Sequence, residues 1–314
     1  MTDELIAGPM RVRHFQVGGR HYASSTACGR RCVHETLDER TIQTSLTHLN
    51  FALHRVARHR LSVASRAGAW SVIRNESKAL WEGLMPDCVR RVCADGERRP
   101  LAITPSHATR GVPWSVTAAG RVVFVNSLAS SGGTDTQPAG ASALTIAGPH
   151  LDAAEHEAEL VAGQYRAGGS DVWIARSKRD VLQGLEHSTL AHFACHGIGD
   201  GADGALQLFD GTLRASDVTR CTKLPSVVVL SACNAAATGR SSVNGLAAGL
   251  VAAGVSTVIA PIAPINDRRS VHFMARLHQH LAHGESPAAA LAAATSYPSG
   301  RIDPAAAPFV CLTA

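Results

Sequence analysis

The chain has 314 residues, of which 45% are apolar and 18% are charged, a composition typical of a globular protein with a substantial core. The net charge of +5 is carried by residues 1–120, which hold 17 Lys and Arg against 10 Asp and Glu. Because no basic run exceeds two residues and no aromatic residues are interleaved with them, nucleic-acid binding is disfavoured.

The cysteines and the N-terminus indicate where the protein resides. Eight cysteines are spread irregularly, which argues against a secreted disulfide framework. The pairs Cys28 with Cys32 and Cys88 with Cys93 lack a second Cys or His pair nearby, so we expect no metal and no cofactor. Residues 1–4 lack the apolar segment of a signal peptide. We therefore expect a cytoplasmic protein with no membrane partner.

The first half of the chain mixes strand and helix patterns. In chain order, the patterns predict a hairpin over 11–25 turning at Gly18 and Gly19, a helix over 38–59, a helix over 78–92 interrupted at Pro86, a strand over 101–103 and a Gly- and Ser-rich loop over 129–142.

The second half alternates regularly between strands and helices. Strands are predicted over 144–147, 172–175, 190–197, 205–208, 212–213, 227–233, 257–260 and 308–312. Helices are predicted over 153–166, 179–185, after a cap at Ser216, and over 244–253, 268–283 and 287–295. The 244–253 helix lies in an apolar stretch broken by Gly, Ser, Thr and Pro, which favours a buried helix over a membrane span. This alternation predicts an α/β fold with a mostly parallel central sheet flanked by helices.

Two reactive side chains stand where apolar strands end. His196 ends one strand and is followed by Gly197, and Cys233 ends the next long strand. Ligands and chemistry collect at the carboxyl ends of parallel strands. A thiol and an imidazole on neighbouring strands are the parts of a cysteine nucleophile and its base. The backbone of Gly197, which has no Cβ, is suited to approach a substrate and to help form an oxyanion hole.

Both residues also have structural explanations. Cys233 would serve as a small core hydrophobe, and His196 as a packed loop histidine. Cys195 points away from any site that His196 faces, because strand side chains alternate, so we expect it in the core. His192 lies about 13 Å from His196 along a strand, too far to share a metal ion. His278, His280 and His283 lie in amphipathic stretches and are expected to be packed or solvated.

The residues around these strand ends resemble those of the CHAT domain, a caspase-like and separase-related family of cysteine peptidases. The matching segments are 193–197 and 229–233, with further similarity at 11–59, 101–105, 112–114, 147–157, 245–260, 267, 284–291 and 308–310. The resemblance spans about residues 10–314, and its combination of motifs is specific.

The resemblance implies a caspase-like three-layer sandwich and a cysteine endopeptidase. Cys233 would be the nucleophile and His196 the general acid and base, with the backbone N–H groups of Gly197 and Cys233 holding the oxyanion. Residues 1–143 would form the N-terminal part of the CHAT region, and residues 144–314 the catalytic part. The alternative is a caspase-like interaction module or scaffold without catalysis.

The resemblance also implies protein partners, and acidic residues near the strand ends suggest a substrate preference. Substrates would be proteins or peptides, and family members are typically controlled by a sensor. The chain shows no 34-residue repeat and no phosphate-binding loop, so we expect any sensor or regulatory protein to be a separate chain. Asp200, Asp203 and Asp210 are candidates for an acidic wall that selects Arg or Lys; the alternative for each is a solvated loop residue. Asn234 is a further substrate-binding candidate, standing where the family often has an acidic residue.

Overall fold

A computed structural model describes residues 8–27, 29–58, 61–118, 121–126, 142–198, 204–233, 243–297 and 301–313. Within these residues the strands are β1 (Met10–Val17), β2 (Arg20–Ser25), β3 (Cys32–Glu35), β4 (Leu101–Thr104), β5 (Val123–Asn126), β6 (Ala143–Ala147), β7 (Val172–Ala175), β8 (Leu190–Ile198), β9 (Ala205–Leu208), β10 (Gly211–Arg214), β11 (Val227–Cys233), β12 (Thr257–Pro261) and β13 (Phe309–Thr313).

The helices lie between these strands along the chain. They are α1 (Glu39–Arg58), α2 (Val63–Leu84), α3 (Asp87–Ala94), α4 (Trp114–Thr117), α5 (Ala154–Ala167), α6 (Lys178–His187), α7 (Ala215–Val218), α8 (Val243–Ala253), α9 (Asp267–Ala282) and α10 (Pro287–Thr295). None of the described helices is both long enough and apolar enough to cross a membrane.

The strands form one mixed sheet made of two parallel halves. One half contains β7, β6, β8, β11 and β12, all parallel. The other contains β13, β5, β4 and β1, also parallel to one another. The halves meet where β12 and β13 pair antiparallel. Strand β8 is the branch point, because its first five residues pair with β6 and its last two with the β9–β10 hairpin.

Helices cover both faces of the sheet, which confirms the predicted three-layer α/β arrangement. On one face α5, α9 and α10 bury Val229, Ile259 and Phe309 of the strands. On the other, α1, α2, α6 and α8 pack over Val228, Leu230 and their neighbours. Alternate strand residues therefore belong to opposite cores, as the side-chain alternation of a strand requires.

Most of the predicted elements are confirmed, with a few differences. Helix α2 begins at Val63, well before the predicted start at residue 78, because the Ser62 side chain accepts a bond from the Ser65 N–H and caps it. Ser216 lies inside α7 rather than capping it. Strands β3 and β5 and the short helix α4 have no counterpart among the predicted elements. The predicted Gly- and Ser-rich loop lies, apart from Ser142, outside the described residues.

The last strand connects the two expected parts of the chain. By position β13 falls within residues 144–314, yet it pairs with β5 of residues 1–143 as well as with β12. The sheet is continuous through this strand. Backbone pairing thus ties the first and last segments of the chain together beside the strands that carry His196 and Cys233.

A buried histidine joins β1 to the helices above it. His14 stacks on Trp114 with ring centroids 5.6 Å apart, and its Nε2–H donates to the Leu84 carbonyl at 3.0 Å. Burial is the main cause that lowers the pKa of His14 to about 4. The ring is therefore neutral in the folded protein at neutral pH.

His14 is expected to make the folded state less stable in acid. Below about pH 6.5 the unfolded chain binds a proton at this residue, whereas the folded protein does not until about pH 4. Stability present above pH 6.5 is thus lost as pH falls, by about 3 kcal/mol in total. Urea unfolding from pH 7.5 to 4.5 should show a shallower loss for His14→Gln than for wild type. The exposed control His283→Gln should follow wild type, and identical slopes in all three proteins would contradict the assignment.

Candidate active site

His196 is held at the end of β8 by a carbonyl from the neighbouring loop. The imidazole is partly exposed, and its Nε2 lies 3.0 Å from the His150 carbonyl oxygen. A carbonyl only accepts, so Nε2 carries the hydrogen in this contact and donates it. The neutral ring then has its lone pair on Nδ1. This tautomer gives His196 a basic nitrogen on the side of the ring away from His150.

The loop that supplies this carbonyl approaches β8 closely through a glycine. Gly148 follows β6, and its N–H donates to the Ala194 carbonyl at 2.8 Å. A Cβ at Gly148 would lie 2.9 Å from the Gln207 carbonyl oxygen and 3.0 Å from the Cys195 Cα, closer than a side chain permits. His150 itself has a φ of 60°, a conformation that costs a non-glycine residue about 1 kcal/mol or more.

The backbone of Cys233 lies directly beside that of His196. Strands β8 and β11 are parallel neighbours, and their pairing runs from Leu190 with Val227 to His196 with Cys233. Neighbouring strands are about 4.8 Å apart. The structure therefore brings the two residues together at the carboxyl ends of adjacent strands, as the strand order required. The Cys233 side chain lies outside the described part of the chain.

The N–H of Gly197 points toward the β11 side of β8. Backbone groups of successive strand residues face opposite edges. The Ala194 carbonyl faces β6, since it accepts from Gly148, and the Thr189 carbonyl faces β11, since it accepts from Val227. Gly197 has the same parity as Thr189. Its N–H therefore lies between β8 and β11 at the end of their pairing, next to Cys233.

Cys195 occupies the core, as predicted. Its side chain is fully buried on the face opposite His196. Burial, followed by the nearby Glu157 carboxylate, raises the pKa of the Cys195 thiol well above its ordinary value. Burial likewise raises the pKa of Cys93 and Cys221. These thiols are protonated at neutral pH and poor nucleophiles.

Of the four candidate specificity residues, the structure describes Asp210. Asp210 lies in the turn between β9 and β10, where its carboxylate accepts two bonds from the Lys178 N–H at the start of α6, at 2.8 and 3.1 Å. Asp210 thus stabilises a helix N-terminus. Asp200, Asp203 and Asn234 lie outside the described residues.

Sequence reasoning missed a buried polar network beneath the His196 face of the sheet. Tyr165 and Glu157 of α5, His192 of β8, and Ser270 and His278 of α9 are all buried. His278 lies 2.9 Å from the Tyr165 hydroxyl and 3.0 Å from His192, and the Ser270 hydroxyl donates to Glu157 at 2.7 Å. His192 Nε2 lies 3.2 Å from Glu157 Oε1, although the contact is not aligned as a hydrogen bond.

One direction of donation satisfies the chain when both imidazoles are neutral. Tyr165 donates to His278, His278 to His192, and His192 points its remaining N–H toward the Glu157 carboxylate. Burial, and secondarily His192, lowers the pKa of His278 well below its ordinary value. A signal for this network was present in the sequence, because Glu157 interrupts the apolar face that Ala154, Ala158 and Val161 form on α5.

The sequence is similar to one known protein family. The model of a family described as the CHAT domain matches residues 74–297, more than two thirds of the chain. No curated protein matches the chain. Within the described ranges, no cluster of three or more His, Cys, Asp or Glu side chains has the arrangement of a metal site.

Proposed function

Because this chain belongs to the CHAT domain family, which is caspase-like, we propose that it is a cysteine endopeptidase with Cys233 as nucleophile and His196 as general acid and base. The observation that carries the proposal is the register of β8 and β11, which pairs these two residues at the carboxyl ends of neighbouring strands. Paired residues of parallel strands project from the same face of a sheet, which is what a catalytic pair requires.

The reaction would proceed in two halves. His196 Nδ1 takes the thiol proton of Cys233 as the sulfur attacks the peptide carbonyl carbon, and the imidazolium then gives that proton to the leaving amine. A thioester joins the substrate's acyl group to Cys233. Water next attacks the thioester while His196 takes its proton, and the same proton returns to the departing sulfur. The cleavage consumes one water and leaves the enzyme unchanged.

The His150 carbonyl would act as a positioning group for His196. Its contact with Nε2 holds the ring orientation and the tautomer, so that Nδ1 is the nitrogen free to take a proton. The close approach of Gly148 to β8 keeps this carbonyl in place. A rigid partner for the base lowers the cost of organising the transition state.

Two backbone N–H groups are proposed to hold the oxyanion. Gly197 directs its N–H toward β11, and Cys233 contributes the second N–H from the neighbouring strand. Preorganised donors of this kind each contribute about 3 kcal/mol in acyl-transfer enzymes. Both N–H groups lie at the end of the β8–β11 pairing. A substrate oxygen can therefore accept from them only when the backbone hydrogen bonds between the strands open there.

Substrate preference would be set by residues near the carboxyl ends of β8 and β11, and activity would be regulated by a partner protein. We propose Asp200 and Asp203 as the acidic wall for an Arg or Lys side chain, and Asn234 as a substrate contact. Asp210 is assigned instead to the N-terminus of α6. A separate sensor or regulatory protein would control activity in the cytoplasm.

A peptide bearing a thiol-reactive group should label one cysteine of this protein. Labelling of wild type is expected to be lost in Cys233→Ala, because the other thiols with raised pKa values stay protonated. The control Cys32→Ser, which removes a remote and partly exposed thiol, should label like wild type. Mass spectrometry of the adduct identifies the site. Equal labelling of Cys233→Ala would instead support the interaction-module alternative.

A further inference from the structure

A groove of about 620 Å³ runs along α2 on the N-terminal half of the molecule. One wall is a face of α2, and the other sides are the end of α4 and the segment at residues 301–302. The lining residues are Ala67, Trp70, Ile73, Arg74, Ser77, Lys78, Trp81, Val116, Thr117, Arg301 and Ile302. This volume lies within the range of about 300–1,000 Å³ that small-molecule sites occupy.

The groove is lined by two tryptophan side chains that are well separated along α2. Trp70 and Trp81 lie on the same face of α2, eleven residues apart, which is about 16 Å along a helix. Ile73 lies between them, and both indoles are only partly buried. A ligand filling this space would present a flat or elongated apolar body to the two rings.

The groove is also positively charged. Arg74, Lys78 and Arg301 line it, and no acidic residue does among those that the structure describes. In the same described set, neither Arg74 nor Arg301 has a carboxylate within 4 Å, and Lys78 has only the exposed Glu82 at 3.8 Å. Cations on an apolar concave surface favour an anionic ligand.

Two hydroxyls in the lining lack hydrogen-bond partners among the residues that the structure describes. Ser77 and Thr117 are 6% and 4% exposed, and neither side-chain oxygen has a partner within the described ranges. A buried hydroxyl without a partner costs about 1–3 kcal/mol. Both oxygens are shielded by neighbouring atoms, so a polar ligand group would recover part of that cost only where a small shift of the lining side chains uncovers them.

The walls opposite α2 are firmly placed. The Arg301 carbonyl accepts the Tyr297 N–H at 2.8 Å. Asp303, two residues further on, forms an ion pair with Arg276 of α9. On the α4 side, the Ser115 hydroxyl donates to the Phe309 carbonyl at 2.6 Å. The groove is thus largely preformed, which lowers the cost of binding.

We propose that this groove binds an organic anion whose apolar ring system or chain carries a carboxylate, sulfonate or phosphate. The body of the ligand lies between Trp70 and Trp81, and its charged group meets Arg74 and Arg301. The site is built on α2 and α4, away from β8 and β11. Its failure would leave the peptidase proposal untouched.

Two fluorescent probes with the same aromatic body test the proposal on the full chain. Anilinonaphthalene sulfonate carries the anion, and N-phenyl-1-naphthylamine is its neutral counterpart. The anionic probe is expected to bind about tenfold more tightly than the neutral one, with energy transfer from tryptophan. Arg74→Gln combined with Arg301→Gln should weaken the anionic probe about tenfold and leave the neutral probe unchanged.

Matched variants separate this site from general surface binding. Arg66→Gln removes an exposed charge from α2 outside the lining and should bind both probes like wild type. Ala67→Trp should fill the groove and weaken both probes. Equal affinity of wild type for the two probes would overturn the proposal, as would an unchanged affinity in the double Arg variant. Displacement of the probe by oligoglutamate but not by dodecanoate would show a site for acidic protein segments and would also overturn it.

Discussion

Peptide hydrolysis is expected to be about a hundredfold slower, or slower still, in His196→Ala than in wild type. The variant removes the group that takes the thiol proton and returns it to the leaving amine. The loss should appear in kcat more than in KM, because the base acts in the transition state and contributes little to substrate binding. Steady-state kinetics with a fluorogenic peptide cleaved by wild type would measure the change.

Chemical rescue distinguishes a base from a structural histidine. Added imidazole should restore part of the activity of His196→Ala, because it can enter the space left by the side chain and accept the proton. It should not restore Cys233→Ala. The exposed control His283→Ala should match wild type. Activity of His196→Ala within about threefold of wild type would refute the proposed base.

Glu157→Leu is expected to lower the free energy of unfolding by about 1–3 kcal/mol. The carboxylate accepts the Ser270 hydroxyl and lies 3.2 Å from His192 Nε2, so its removal leaves the buried Nε2 of His192 facing an apolar side chain. Ser270 loses one acceptor but keeps the Asp267 carbonyl at 2.8 Å. Leu has a similar volume, which limits any packing contribution. Urea denaturation at pH 7.5 would measure the difference.

Glu159 provides the matched control on the same helix. Its side chain is exposed and pairs with Arg166 at 3.2 Å, so Glu159→Leu should change the free energy of unfolding by less than about 1 kcal/mol. The double variant Glu157→Leu with Ser270→Ala should lose less than the sum of its single variants, because the two residues share a hydrogen bond. A cost below about 1 kcal/mol for Glu157→Leu would show that the network contributes little.

The sequence predicts the strand ends of the active site well, but it does not predict where α2 begins. Strand periodicity located the ends of β8 and β11, and the alternation of side chains placed Cys195 in the core, where the structure also has it. The helix cap at Ser62 shows the opposite case. A serine before a weakly periodic segment does not by itself predict a helix start, so the predicted helix begins fifteen residues after the true start of α2.

Contacts across distant segments were inaccessible to the same reasoning. Nothing local to His196 indicates that the His150 carbonyl binds it, because this contact depends on the order of β6 and β8 in the sheet. The groove beside α2 likewise depends on segments more than two hundred residues apart in the chain. The sequence shows Glu157 as a charged residue on an otherwise apolar helix face, but it does not show which residues Glu157 contacts.

The amino-acid sequence by itself determined most of the strands and helices, the α/β class and the two strand ends that carry His196 and Cys233, because periodicity and turn chemistry act within a few residues. Only the tertiary structure decided that β8 and β11 pair in register, that β13 joins two opposed parallel half-sheets, and that β8 branches between β6 and β9. Strand order and register depend on how whole faces pack against their helices, and that balance of burial is a property of the complete fold.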